Sequence, residues 1–212
     1  MYFHDADGRL LTTPEFGVED HRFLLVHRRM LSDLLADAVG RENIRVGAGG
    51  FECYVEHPDH VDVRFADGSA DTVDVLIGAD GGVYSTVREQ LLPGVTAQEH
   101  PGHDVWRAVI PNPGLSMPED RLILGTHGCR GGYVRTHDGF VYWLVNQFNT
   151  PALAGTLKHQ ALQRAAHLGG ADGEKNSILH QLITATPEEA ILHNQIMIVP
   201  PLARWASARV AL

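Results

Sequence analysis

The first chemical signal in this sequence lies where an apolar run stops. In DVLIGADGGVYSTVREQLLPG, residues 74 to 94, a strand-like stretch ends at Asp80, Gly81 and Gly82 follow, and a short helical stretch begins. Ser85 or Thr86 caps that helix, with Thr86 and Glu89 at capping-box spacing. A strand that ends on a carboxylate, then glycines, then a helix mouth suits a ribose and a phosphate. Glycines let backbone approach a ligand, amides of the first helical turn face an anion, and the carboxylate accepts hydrogen bonds from ribose hydroxyls. Val83, Val87 and Leu91 form the packed face; Arg88 lies off it and can hold a loop or a phosphate. The competing reading is a strand-to-helix turn that uses Asp and Gly for geometry alone.

Other chemistries find less support. Of thirteen histidines, two pairs have HxxH spacing, His57 with His60 in HPDH and His100 with His103 in HPGH. Each pair encloses a proline and reads as a turn, whereas a helical metal pair wants i, i+4 spacing without a breaker, so no metal site is expected. Cys53 and Cys129 lie far apart with no CxxC spacing and read as buried thiols. Seventeen basic against 26 acidic residues, a net charge of -9, argue against a nucleic-acid surface. No apolar stretch approaches the roughly 18 to 20 residues of a membrane span, and MYFHDADGRLL is acidic and polar where a signal peptide would be basic and then apolar. The expectations are no membrane partner and a cytoplasmic location.

The elements that must position these residues follow from periodicity. Residues 2 to 13 predict a hairpin turned by Asp7 and Gly8 within DADG, followed by a loop. RRMLSDLLADAVG places Leu31, Leu34, Leu35 and Ala38 on one helical stripe closed by Gly40. NIRVG, FECYVEH and HVDVRFADGS predict short strands, and TVDVLIGAD, apolar on both faces, predicts a strand covered on both sides. Beyond residue 100, DVWRAVI, RLILGTH, GGYVRT and FVYWLVNQF predict a mostly antiparallel sheet. Amphipathic helices are expected over 152 to 168 and 176 to 186, with the glycine-rich HLGGADGE as a loop between them.

DVLIGADGGVYSTVR resembles the Asp-Gly motif of the flavoprotein monooxygenases related to para-hydroxybenzoate hydroxylase, which include salicylate and urate hydroxylases. That motif runs Asp-Gly-x-x-Ser-x-x-Arg and serves FAD and the nicotinamide cofactor; here Gly82, Val83 and Tyr84 put one extra residue before Ser85. VHRRMLSDLLADAVG is similar to the family segment in which an Arg opening a helix contacts FAD, and the match falls on Arg28. A cation in a first helical turn opposes the macrodipole and needs an anion nearby, which supports that match. VWRAVI, GTHGCRGGYVRTHDGFVYWLVN and ARWASARVAL are also similar to family segments, in family order.

The resemblance implies an α/β fold: an incomplete FAD/NAD(P)-binding, Rossmann-like three-layer domain with an inserted, mostly antiparallel β-sheet substrate domain. Residues 1–98 and the return strand in 199–212 are assigned to the FAD-binding part, and residues 99–198 to the substrate sheet. The family's opening GxGxxG and closing Gly-Asp motifs are not found, GAGG at 47 to 50 running into a strand where the fingerprint demands a helix; a truncated chain is expected. The implied activity is hydroxylation of an aromatic or heteroaromatic small molecule with FAD, O2 and NADH or NADPH. The flavin carries the chemistry, so no catalytic side chain is required. A flavin-dependent reductase or dehydrogenase of the same fold, or a remnant that does not retain FAD, are the alternatives. Arg28, Asp80, Gly81 and Arg88 are the expected cofactor-binding residues. By resemblance to urate-hydroxylase-like members, Arg130 and Tyr142 are the expected substrate-binding residues, with Trp106 and Arg107 as further candidates. Strand alternation puts Phe140, Tyr142, Leu144 and Asn146 on one face and Val141, Trp143 and Val145 on the other.

Overall fold

The computed structural model describes residues 1–12, 26–136, 138–148, 153–168 and 177–212. In chain order the elements are β1 (Tyr2–Asp5), β2 (Leu10–Thr12), α1 (Arg28–Val39), β3 (Phe51–Glu56), β4 (Val61–Phe65), β5 (Ala70–Val73), β6 (Leu76–Ile77), α2 (Thr86–Leu91), β7 (Gln98–Pro111) and β8 (Arg121–Leu124). There follow β9 (Arg130–Arg135), β10 (Phe140–Gln147), α3 (Leu157–Ala165), α4 (Ile178–Ala185), β11 (Leu192–Ile198) and β12 (Val210–Ala211). The chain divides into two compact units, residues 1–32 with 101–196 and residues 33–100 with 197–212. The loop expected after the first hairpin and most of the glycine-rich loop, residues 169–174, fall outside the described residues.

The larger unit is built on a seven-stranded sheet of order β11-β7-β10-β9-β8-β1-β2. Among the strand pairs with a defined register, β1 with β8 is parallel and the rest are antiparallel. The turn DADG forms as expected: Asp5 Oδ1 accepts from the amides of Asp7 (3.1 Å) and Arg9 (2.8 Å). The hairpin was assigned with residues 1–98 to the cofactor part, but β1 lies beside β8, and residues 1–32 belong to the large-sheet unit. Residues 100 to 103, read as a turn, continue β7.

One face of this sheet is closed by α3 and α4. Their caps are Thr156 and Ser177, whose hydroxyls accept from the amides of His159 and His180, both at 3.2 Å. Val141, Trp143 and Val145 alternate into this core with no exposed surface, joined by Leu179, Leu182 and Ile183. Trp143 Nε1 donates to Thr186 Oγ1 at 2.8 Å, so the largest buried ring also has its polar atom satisfied. Burying each aliphatic side chain here is worth about 1.5–3 kcal/mol. On the other face Phe140, Tyr142 and Leu144 remain partly exposed.

The smaller unit holds the antiparallel sheet β3-β4-β5, the parallel pair β12-β6 and α2. Its core is Tyr54, Val61, Val63, Val87 and Val210. Gln90 of α2 clamps the edge of β3, accepting from the Tyr54 amide and donating to the Tyr54 carbonyl. Two expectations fail here. NIRVG is not a strand, because a 3-10 turn over Arg41–Asn43 follows α1 and Asn43 Nδ2 donates back to the Val39 carbonyl at 2.9 Å. TVDVLIGAD is not covered on both faces: Val75 is 55% and Ile77 70% exposed, since β6 pairs with β12 alone among the described strands. The helical stripe of α1 forms, yet Leu31, Leu34 and Leu35 are exposed and no residue of the helix is buried.

Candidate functional site

The Asp80 junction is built from the end of β6 and the start of α2. Gly78 lets the two meet, because an added Cβ would lie 2.6 Å from Val87 Cγ1. Gly81 has φ 101°, a conformation that favours glycine, and an added Cβ at Gly81 or Gly82 would meet nothing within 4 Å. The backbone of this loop is therefore uncovered.

Of the two possible caps, Ser85 fills the role: its hydroxyl accepts from the Arg88 amide at 3.0 Å and donates to Asp80 Oδ1 at 2.5 Å. Asp80 Oδ2 accepts from the Val87 amide at 3.1 Å. The anion at the mouth of α2 is thus the chain's own Asp80, and amides expected to face a phosphate are already engaged. Partial burial is the largest single influence on this carboxyl and pushes it upward. The hydrogen bonds from Ser85 and from the Val87 and Thr86 amides outweigh it and hold Asp80 below the ordinary carboxylate range. The residue is nevertheless exposed, so lone pairs of its oxygens remain open to a hydroxyl donor.

Arg88 is buried, at 5% exposure, and its guanidinium spreads over three carbonyls. Nη1 donates to Gly82 O at 2.6 Å, Nη2 to Val83 O at 3.1 Å and Nε to Val95 O at 3.3 Å. Of the two uses open to it, the loop claims its donors. Asp80, Gly81 and Arg88 thus form one local assembly in the smaller unit.

In the larger unit an open groove of about 550 Å³ runs along the uncovered face of the sheet. Its walls include Arg28, Arg107, Val109, Thr136, Tyr142 and Leu192. Arg28 opens α1, which has no acidic residue in its first turn, and it has no ion-pair partner among the described residues. Arg107 stands opposite Leu144 and Val109 opposite Tyr142, which brings Arg107 to the Tyr142 face; its Nη2 donates to Asn194 Oδ1 at 3.0 Å. Two guanidinium groups and a phenol beside apolar walls can bind a planar molecule that carries negative charge.

Arg130 is placed elsewhere. It pairs opposite Asn146, four residues along β10 from Tyr142, a spacing of roughly 13 Å. Its Nε donates to Asn146 Oδ1 at 3.1 Å, and Asn146 Nδ2 lies 3.1 Å from His103 Nε2. Trp106 faces the helices, buried, with its ring against His193 and its Nε1 donating to Gln160. Thr136 and His27, which also line the groove, carried no signal in the sequence; the β9-β10 hairpin, closed by the Thr136 and Phe140 backbone, puts Thr136 on the face of Tyr142. Cys129 is buried as expected, whereas Cys53 is only half-buried.

A mixed α/β chain with a large, mostly antiparallel sheet and a strand-Asp-Gly-helix junction has the fold of FAD-binding monooxygenases. Klebsiella pneumoniae HpxO, solved with FAD and uric acid, superposes with a TM-score of 0.69 at 24% identity, covering 88% of this chain and 46% of that one. In sequence, the aurachin C monooxygenase/isomerase of Stigmatella aurantiaca is 31% identical over 195 residues, 89% of this chain and 47% of the relative. The 2-heptyl-3-hydroxy-4(1H)-quinolone synthase of Pseudomonas aeruginosa strain UCBPP-PA14 is 28% identical over 219 residues, 100% of this chain and 54% of the relative. No protein-family model matches. The chain belongs to the flavoprotein monooxygenases related to the aromatic hydroxylases. It spans about half the length of the curated relatives it matches. Among the described residues no helix is long and apolar enough to cross a membrane.

Proposed function

We propose that the protein to which this chain contributes is an FAD-dependent monooxygenase that hydroxylates an electron-rich aromatic or heteroaromatic small molecule. One atom of O2 goes to the substrate and the other to water, with two electrons supplied by NADH or NADPH; bound FAD supplies the oxygen-activating chemistry. The observation that carries this reading is the groove shared by Arg28, Arg107 and Tyr142 on the uncovered face of the sheet.

The residues present fit such a cofactor in separate places. Asp80 offers an exposed carboxylate to a ribose hydroxyl, beside backbone left bare at Gly81 and Gly82. Arg88 shapes that loop through its three carbonyls. Arg28 offers a cation to an anionic group of the cofactor. Tyr142 and Arg107 orient the substrate, the phenol through one hydrogen bond and the guanidinium by pairing with an enolate or carboxylate. Arg130 meets an anionic substrate group at the far end of β10.

The test is FAD titration by flavin fluorescence, followed by product analysis under 18O2 with reduced nicotinamide and a panel of hydroxylated aromatic acids and heteroaromatics. Label in the product is expected. Arg28→Ala should weaken FAD binding about tenfold, the loss of one charge-assisted hydrogen bond. Flavin reduction with no label in any product would instead favour a reductase.

A further inference from the structure

The turn between β3 and β4 carries a cluster that the flavin reading leaves unused. HPDHVD, residues 57 to 62, bends as its proline suggests, but the bend lays the two imidazoles on each other, with ring centres 4.3 Å apart. Asp62, the second residue of β4, closes the group. Its Oδ2 lies 3.1 Å from His57 Nε2, and its Oδ1 lies 3.7 Å from His60 Nε2. Ligand atoms of all three residues fall within 4.8 Å of one another. Zinc–nitrogen and zinc–oxygen bonds of about 2.0–2.1 Å imply ligands roughly 3.4 Å apart in a tetrahedron, and each imidazole Nε2 lies near that distance from one of the two Asp62 oxygens.

The surroundings prepare these atoms for a cation. His60 Nδ1 lies 2.7 Å from Asp59 Oδ1, so the proton sits on Nδ1 and the lone pair of Nε2 is directed at the cluster. Thr72 Oγ1 donates to Asp62 Oδ1 at 2.7 Å and fixes the rotation of the carboxylate from β5. The side chains are about one-third to one-half exposed, which leaves a path for an ion and room for water at the remaining positions.

We propose that His57, His60 and Asp62 bind one divalent transition-metal ion of the zinc class, with Asp59 as the positioning residue for His60. Two imidazoles and one carboxylate suit Zn2+, Ni2+ or Cu2+ rather than Mg2+ or Ca2+. The ion would brace a turn that already anchors the last strand. Arg209, immediately before β12, donates from its amide to Glu56 Oε1 at 2.6 Å and from Nε to the Pro58 carbonyl at 2.9 Å. Zinc on this turn therefore stiffens the support of the β12-β6 pair that leads into Asp80. The inference does not depend on the flavin reading.

The experiment is calorimetric titration of the chain with ZnCl2, alongside melting curves with and without zinc. One ion per chain is expected, with a melting temperature raised by about 4 °C at saturation. His57→Gln, His60→Gln and Asp62→Asn should each lower affinity at least about tenfold, and Asp59→Asn by about tenfold, as for loss of an outer partner. His193→Gln, which breaks the exposed pair with Asp104, should leave binding unchanged. X-ray absorption at the zinc edge of the parent chain should show only nitrogen and oxygen neighbours near 2.0 Å. Equal binding by all the variants, no saturable site, or a sulfur neighbour that would put the ion on Cys53, each overturns the proposal.

Discussion

The two units solve the burial problem differently. The larger one closes one face of its sheet with its own helices, so Trp143, Val141, Val145, Leu182 and Ile183 are fully enclosed. The smaller one encloses little beyond Tyr54, Val61, Val63, Val87, Leu91 and Val210, while Val75 and, within its parallel pair, Ile77 stay exposed. It is held instead by polar clamps: Gln90 on β3, Arg88 on three carbonyls, Arg209 on the β3-β4 turn. The first relies chiefly on packing, and the second supplements a smaller core with hydrogen bonds to backbone. The difference predicts which kind of substitution hurts where.

The sharpest way to break that contrast is Trp143→Ala. It should cost about 3–5 kcal/mol, read as a lower urea midpoint, because a cavity opens in a core that has no slack. A loss under about 1 kcal/mol would mean that the helices over the sheet are not its closing layer. Next, Arg88→Met keeps the length and deletes the donors. It should cost about 2 kcal/mol, since three carbonyls lose charge-assisted partners, and should speed proteolysis between Gly81 and Ser85. If Arg88→Met were neutral, the polar-clamp account of the smaller unit would fail.

Asp80→Asn should cost under about 1 kcal/mol at neutral pH, the scale of an anion at an exposed helix start. Its pH dependence is the finer test. The folded-state carboxyl lies below its ordinary value of 3.8, so its contribution is complete above that value. It is lost as the pH falls below 3.8 toward the depressed folded value. Wild type and Asp80→Asn should therefore differ in stability at pH 6 and converge in that acid range, as seen by circular dichroism. The smallest effect concerns the thiols. Burial pushes Cys129 up to about 11, against the influence of Arg164, and its Sγ lies 3.3 Å from the Arg164 carbonyl. Iodoacetamide at pH 8 should label half-buried Cys53 in the native chain and reach Cys129 only after denaturation.

Local features were the legible ones. DADG specified the first hairpin, and the alternation in FVYWLVN separated the enclosed Val141, Trp143 and Val145 from the open Tyr142 face. These depend on neighbours a few residues away. What depended on distant partners was not readable: β1 beside β8, the bare surface of Ile77, and the meeting of Arg28, Arg107 and Tyr142 in one groove. The GGYVRT stretch shows why. Gly132 sits in β9 because an added Cβ would come 2.3 Å from the Arg121 carbonyl of the next strand, a constraint visible only once the strands are paired. At the Asp80 junction the sequence placed a carboxylate and two glycines between β6 and α2, but the partner of the helix mouth proved to be the carboxylate itself. A sequence cannot distinguish a group that waits for a ligand from one that has already found a neighbour seven positions on.

The Arg88 fork has one further consequence. Because the carbonyls of Gly82, Val83 and Val95 converge on a single planar cation, the Asp-Gly loop holds its shape without help from anything bound to it. Any ligand that docked on this loop would meet backbone already ordered, because the conformational entropy that a slack glycine loop surrenders on capture has already been given up during folding.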